Sequence, residues 1–300
     1  MGYETLLRHG ELRHSRIGRT LTLPRPLMTM FRRPWERVLF DPVRNANPFF
    51  HLVEAIWMLA GRNDVSPMQS LVKRMGDYSD DGETFRGAYG HRWRRHFGFD
   101  QLHECIQQLK NDPESRRVVL SMWDARSDLR AKNTKDKPCN THIYFRIENG
   151  VLITTVCCRS NDMIWGLFGS NAVHFSYLHE LVAGETRVPM GPLYILSNNA
   201  HAYTELFRKR LIDSNGRDPY VRSQTERSKH RVKLSTVYCA DDLFNGTSSK
   251  DPFIAKVATP VLRSYEAHKA GDPHAATLIN SCEANDWRMA CAQWLERRRK

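Results

Sequence analysis

Residues 138–171 read PCNTHIYFRIENGVLITTVCCRSNDMIWGLFGSN. The stretch opens on a thiol, Cys139, placed after a turn-forming proline. Two strand-like runs follow, 142–147 and 151–158, joined by Glu148-Asn149-Gly150, a hairpin signal. An arginine, a carboxylate and an amide then fall within one short span, Arg159-Ser160-Asn161-Asp162 and Gly166-Leu167-Phe168-Gly169-Ser170-Asn171. These are the parts needed to attack an electron-poor ring, neutralise an anion and read a base edge. The stretch reads as the centre of an enzyme acting on a pyrimidine nucleotide.

Working outward, residues 48–60 are almost entirely apolar, opened by Asn47 and Pro48 and followed by Gly61. Proline in the first turn and glycine past the last predict a largely buried helix. Residues 100–110 place Leu102, Cys105, Ile106 and Leu109 at i, i+3, i+4 spacing, which predicts an amphipathic helix. Strands are expected at 20–23, 117–123 and 193–196, and a buried helix over 172–182. Residues 213–232 and 244–252 are polar and turn-rich and read as loops. Helices mixed with paired strands predict an α+β domain around one sheet. A single domain is expected over 1–300, its core at about 45–207, with 208–300 the least readable part.

The 300 residues are 41% hydrophobic and 26% charged, ordinary for a globular protein. No apolar run approaches the roughly 18–20 residues that span a bilayer. The N-terminal MGYET lacks the charged-then-apolar layout of a signal peptide. The seven cysteines (105, 139, 157, 158, 239, 282 and 291) are odd in number and show no metal-ligand spacing. A reducing cytoplasm and no metal are the simplest expectations. The formal charge of +12 calls for an anionic partner, either nucleic acid or a phosphorylated substrate with an acidic cofactor. Part of that charge sits in the tail Glu296-Arg297-Arg298-Arg299-Lys300.

A free cysteine is usually a small buried hydrophobe, whereas a reactive one needs an electropositive, partly exposed setting. Arg159 would have to supply that setting for Cys139. Cys157 and Cys158, inside an apolar strand, read as packing residues. Glu54 lies among Phe49, Phe50, Leu52, Val53, Ile56 and Trp57, where a carboxylate must be paired, protonated or functional. Arg116 and Arg117 are either a solvated pair at a strand start or a bidentate phosphate clamp. Arg16 and Arg19 flank Gly18 in a loop and could close over a phosphate. Asn171 could be the N-cap of the helix it opens. His201 and Tyr203 share a strand face by their i, i+2 spacing.

Together these segments resemble the thymidylate synthase superfamily, which includes the dUMP and dCMP hydroxymethylases found largely in phages. The matching stretches are EAIWMLAG (Glu54 to Gly61), YGHRW (Tyr89 to Trp93), Ser115-Arg116-Arg117, Pro138-Cys139, Arg159-Ser160-Asn161-Asp162, Gly166 to Asn171, and Ala200-His201-Ala202-Tyr203, in family order. The resemblance implies a central mixed sheet covered by helices and a homodimer formed through the sheet. It implies that Cys139 adds to C6 of the pyrimidine and that C5 then attacks the methylene group of 5,10-methylenetetrahydrofolate. Arg159 would support the thiolate and bind phosphate with Ser160, while Arg116 and Arg117 would reach the phosphate held by the other subunit. Glu54 would organise water and proton movements at the base, and Tyr89 would help remove the C5 proton. Asp162 would hold the pterin, with Trp57 and Gly166 also on the cofactor side. His201 and Tyr203 would bind the sugar hydroxyl, and Asn171 the base.

An amide at 171 can accept from N3–H and donate to O4, which matches uracil. The dCMP hydroxymethylases of the superfamily tend to carry Asp there, so dUMP is the expected nucleotide and dCMP the alternative. Loss of tetrahydrofolate leaves an exocyclic methylene at C5, which a synthase reduces and a hydroxymethylase hydrates. Here Met75-Gly76-Asp77-Tyr78 replaces the tryptophan-bearing segment of synthases, and Asn140 stands where they usually have His. The stretch 290–297 also lacks their closing tail of small apolar residues. A site less able to exclude water favours hydration. The expectation is therefore a cytoplasmic dUMP hydroxymethylase of a phage-infected bacterium, with thymidylate synthase as the alternative. A basic nucleic-acid-binding protein is the reading from another class; against it, no recognised DNA- or RNA-binding motif is present.

Overall fold

A computed structural model of the chain describes residues 2–15, 18–205, 207, 220 and 229–298. Its strands are β1 (Glu11–Ser15), β2 (Gly18–Thr22), β3 (Leu27–Phe31), β4 (Val119–Ser121), β5 (Asn140–Glu148), β6 (Val151–Cys158), β7 (Asn161–Asp162), β8 (Met190–Ser197) and β9 (Ala200–Tyr203). The helices that frame the site are α1 (Gly2–His9), α2 (Pro48–Leu59), α3 (Ser66–Leu71), α4 (Tyr89–Arg94), α5 (Gln101–Asn111), α6 (Ala125–Asp128) and α7 (Asn171–Glu185).

Local chemistry explains where several of these begin and turn. Asn47 Oδ1 accepts the Phe50 amide (3.2 Å) and caps α2, with Pro48 in its first turn. Asp100 caps α5 by accepting from His103 N (3.0 Å). Asn149 and Gly150 both take positive φ (50° and 73°), as a two-residue type I′ turn between β5 and β6 requires. β5 is longer than the expected 142–147, and the expected 117–123 strand shrinks to β4. Of the expected 213–232 loop, only residue 220 and residues 229–232 lie within the described residues.

The central sheet has strand order β3-β8-β6-β5-β4, antiparallel throughout except for the parallel pair β6–β8. α7 packs on β6 and β8, and α2 packs on α7. Where the sequence predicted one sheet, a second accompanies it, with order β1-β2-β9-β7. β7 continues from β6 after Arg159-Ser160, and β9 continues from β8 after Asn198-Asn199; β7 and β9 are again parallel. A single parallel pair therefore runs through both sheets, with a break between them. Asn198 N to Cys158 O (2.9 Å) and Asn161 N to Asn199 O (2.8 Å) stitch that break.

β6 and β8 alternate buried and half-buried residues along their whole length, so one face of the sheet meets the core and the other stays open. Register aligns Val119, Tyr144, Thr155, Tyr194 and Met30 in one row across the open face. Ser121, His142, Cys157, Leu196 and Met28 form the next. Met28, Met30, Val119 and Tyr144 are exposed there.

One hydrophobic cluster runs from Leu6 to Leu295. Phe49 of α2 meets Trp294 edge-on (5.5 Å) and Tyr265 (5.2 Å), which come from the C-terminal helices Asn285–Glu296 and Thr259–Lys269. α2 is thereby so well covered that Glu54 is its one residue that is not buried. Among the described residues no helix is long and apolar enough to cross a membrane.

A buried ion pair locks α4, and with it Tyr89, against α6. Arg92 and Asp128, 1% and 0% exposed, form a two-pronged pair at 2.8 and 2.9 Å. Arg92 also donates to the Met122 and Arg86 carbonyls, and Asp128 accepts the Asp124 amide. Removing one partner leaves the other charge buried and uncompensated. Asp128→Ala is therefore expected to lower the unfolding free energy by about 3–5 kcal/mol in urea denaturation; a loss below about 1 kcal/mol, the level of a surface pair, would show that water compensates Arg92.

Candidate active site

Cys139 immediately precedes β5, at the level of the break between the sheets, and is half-buried. Register places Asn140 opposite Cys158, and Arg159 N donates to Cys139 O (2.9 Å), so the first residue of the break is bonded to the backbone of Cys139 itself. The Arg159 fork donates to Pro138 O through Nε (3.0 Å) and to Lys137 O through Nη2 (3.1 Å). Nη2 also lies 3.8 Å from Cys139 Sγ. Burial pushes the thiol above its ordinary pKa, the Arg159 charge opposes that rise, and Asp136 adds to it. The guanidinium is exposed, so it can meet an incoming anion as well as the sulfur.

Beneath the thiol runs a line of buried amides. Cys158 donates to Asn140 Oδ1 (2.6 Å) and is held well above the usual thiol range by burial. Asn161 Nδ2 donates to Ser197 Oγ (3.0 Å), and Asn161 Oδ1 accepts from Asn171 Nδ2 (3.0 Å). Asn171 is thus the first residue of α7 rather than its N-cap, and its amide is oriented by Asn161. Gly166 allows this pair: a Cβ there would lie 2.5 Å from Asn161 Oδ1 and 3.0 Å from Asn171 Nδ2. Asn140, which stands where synthases usually have His, is 0% exposed; its Oδ1 accepts from Cys158 and its Nδ2 is buried without a bonded partner among the described residues.

Glu54 finds its partner across the helix pair. His174 of α7 brings Nε2 to 2.9 Å from Glu54 Oε2. The approach is poorly aligned for a hydrogen bond, and Glu54 Oε2 and both His174 nitrogens are buried without a bonded partner among the described residues. Such orphaned atoms suit an ordered water or a ligand group. His51, one turn before Glu54, is pulled down to about 3 by burial, by His174 and by Arg44, and so is neutral. Tyr89 stacks on Phe175 (6.2 Å, 18°). Burial, with Cys139, Cys158, Asp136 and Glu54 adding to it, holds its hydroxyl well above the usual range. His174 was missed in the sequence, although it lies at i+3 from Asn171 on one helix face.

Asp162 Oδ1 accepts from Ile164 N (2.8 Å) and Trp165 N (2.5 Å), closing the turn that leads to Gly166, while its Oδ2 is buried and unpartnered. Burial raises its carboxyl against those two amides, His201 and Arg44. Trp165 is 52% exposed and carries the Arg44 guanidinium 3.9 Å from its ring. Trp57, expected on the cofactor side, is instead 4% exposed, with Nε1 donating to Asp64 (3.0 Å) and its ring against Phe85. That expectation is corrected: Trp57 is packed away, while Trp165, whose amide donates to Asp162, is exposed.

His201 sits beside Asp162 in the β7–β9 ladder, bonds Asn199 Oδ1 through Nδ1 (2.9 Å) and meets Tyr203 edge-on (5.8 Å). Arg19 lies on β2, next to the residue that pairs with Tyr203, and not in a loop; Arg16 lies outside the described residues. Ser160 is half-buried in the break. Arg116 and Arg117 are exposed ahead of β4. Because Val119 faces Tyr144, they lie toward Arg146, roughly 20 Å along the strand from Cys139. Within one chain they do not join the site.

The thymidylate synthase family model matches residues 8–246 of this chain. A deoxyuridylate hydroxymethyltransferase of Pseudomonas phage M6 is 42% identical over 314 aligned residues, covering 97% of this chain and 88% of that protein. A deoxyuridylate hydroxymethyltransferase of Bacillus phage SP01 is 35% identical over 219 residues, 70% of this chain and 57% of that protein.

Gly166→Ala is expected to part Asn161 from Asn171 and to lower the unfolding free energy by about 1–3 kcal/mol. Combined with Asn171→Ala, the two losses should sum to less than their separate values, since both break one contact; full additivity would show that Gly166 serves another purpose.

Proposed function

The chain belongs to the thymidylate synthase family, and we propose that it converts dUMP, methylenetetrahydrofolate and water to 5-hydroxymethyl-dUMP and tetrahydrofolate. The observation that carries this reading is the Cys139 thiol beside the Arg159 guanidinium (3.8 Å) at the break between the two sheets. The 42% identity to the phage M6 enzyme, over 97% of this chain and 88% of that protein, supports the hydroxymethyl product.

Cys139 sulfur adds to C6, and the electron pair of the C5–C6 bond moves through C5 toward O4. Asn171 takes that charge through its second Nδ2 hydrogen, and its Oδ1 accepts N3–H. With the other hydrogen on Asn161, the amide oxygen is left for the base, which supports uracil over cytosine, whose N3 carries no hydrogen. Enzymes of this family use a folate one-carbon donor. Methylenetetrahydrofolate supplies the one-carbon unit that becomes a methylene group on C5. The unpartnered Asp162 Oδ2 fits a ring N–H donor, and the exposed Trp165 face fits a flat heterocycle, so these residues would hold the pterin. As tetrahydrofolate leaves, Tyr89 helps pass the C5 proton to water. Glu54 and His174 order the water that adds to the methylene carbon, after which sulfur leaves C6 and the C5–C6 bond is restored.

Arg159 and Ser160 bind the phosphate together with Arg19, and His201 with Tyr203 holds the sugar hydroxyl. Arg116 and Arg117 serve a second copy, docked on the open sheet face; the apolar rows across that face and the distance of both arginines from Cys139 support this homodimer.

With methylenetetrahydrofolate and dUMP, mass spectrometry should detect hydroxymethylated nucleotide and tetrahydrofolate, with dCMP turned over more slowly. Thymidylate with dihydrofolate would overturn the hydration step, and no product from either nucleotide would overturn the enzyme. Cys139→Ala should lower kcat by about 10³-fold or more while nucleotide binding persists. In sedimentation, the paired substitution Tyr144→Glu and Tyr194→Glu should yield monomers with weakened phosphate binding; a dimer that survives it would place the interface elsewhere.

A further inference from the structure

Asp136 lies three residues before Cys139, in the charged run Lys135-Asp136-Lys137. Its Oδ2 accepts the Gly87 amide at 2.7 Å, and Gly87 lies two residues before Tyr89. The two loops touch so closely at this point that a Cβ on Gly87 would lie 2.6 Å from Asp136 Oδ1 and 3.0 Å from Pro138 N. Among the described residues Asp136 makes no ion pair. Arg92 is closed on Asp128, Arg86 donates to Ser127 O, and Lys135 Nζ donates to Ser79 O, so Arg92 and Arg86 act on Asp136 only from a distance, and Asp80 repels it. Burial outweighs these influences and the Gly87 bond and raises the carboxyl above its ordinary value. On the thiol side, Arg159 bonds the Lys137 and Pro138 carbonyls and reaches Cys139 Sγ, so Asp136 stands on the loop that Arg159 holds beneath the thiol; the Arg159 charge lowers the thiol and the Asp136 charge raises it.

We propose that Asp136 is a positioning residue of the nucleophile, fastening the Tyr89 turn to the Cys139 loop, and that its negative charge, when present, opposes the thiolate that attack requires. Two neighbouring anions in a half-buried pocket are costly, so a neutral Asp136 lets Cys139 ionise and an ionised one holds it back. The sign follows. As pH rises through the Asp136 titration, the new charge pushes thiol ionisation to still higher pH. Removing the charge must bring thiol ionisation down.

The proposal rests on Cys139 as the nucleophile of the proposed function, but its test reads the thiol without turnover. Iodoacetamide alkylation of Cys139 is followed across pH by mass spectrometry of the peptide that contains it. Asp136→Asn keeps an oxygen for the Gly87 amide and removes the charge. Its alkylation curve should move to lower pH, with a rate about threefold to tenfold higher at neutral pH. Asp136→Ala should shift the curve the same way and also lower kcat with little change in KM, because Tyr89 is no longer fastened. Curves superimposed on the unaltered protein in both variants, or moved to higher pH, overturn the assignment. A Cys139→Ala enzyme that still turns over would overturn the proposed function and leave the alkylation result standing.

Discussion

The site depends on a break in one parallel strand pair. β6 and β8 cannot continue as β7 and β9 without leaving main-chain groups at residues 159–160 and 198–199 unpaired, and such groups must find partners when they are buried. They find them across the break: Arg159 N on Cys139 O, Asn198 N on Cys158 O and Asn161 N on Asn199 O. The same bonds that repair the backbone bring the thiol, the arginine and the amide line to one place. A continuous sheet would have carried Asp162 and His201 onward in the ladder with no mouth beside them.

Burial dominates the electrostatics there. The Cys139 and Cys158 thiols, the Tyr89 hydroxyl and the Asp136 and Asp162 carboxyls are all pushed toward their neutral forms, and His51 is neutral as well. The Arg159 cation therefore faces surroundings short of negative charge. An anionic substrate supplies what is missing, and the excess of +12 over the whole chain favours its approach from a distance.

The parts of the fold legible in sequence were those decided locally. Asn47-Pro48 capped α2, Asn149-Gly150 turned the hairpin, and Glu54 stood out as a carboxylate among large apolar residues. The second sheet was not legible because its strands are short and the pairings that join them, β2 with β9 and β9 with β7, link segments far apart in the chain. Which tryptophan meets solvent is likewise a tertiary property: Trp57 and Trp165 both sit in apolar runs, and only packing separates them. His174 was hidden because α7 is buried on nearly every side, so no amphipathic stripe marks one face. Asp136 was masked by the lysines on either side, which suggest a solvated run until the Gly87 contact is seen.

Arg159 holds two carbonyls and a sulfur with one rigid fork. A lysine there would keep the charge and lose the reach, because a single ammonium cannot span the three directions that the guanidinium spans. In evolutionary terms, charge conservation offers this position no shelter: an exchange that is mild on most surfaces would here loosen the Lys137-Pro138 loop and the thiol together. Sequences drifting within this fold should find that route closed, even where the rest of the arginine-rich surface changes freely.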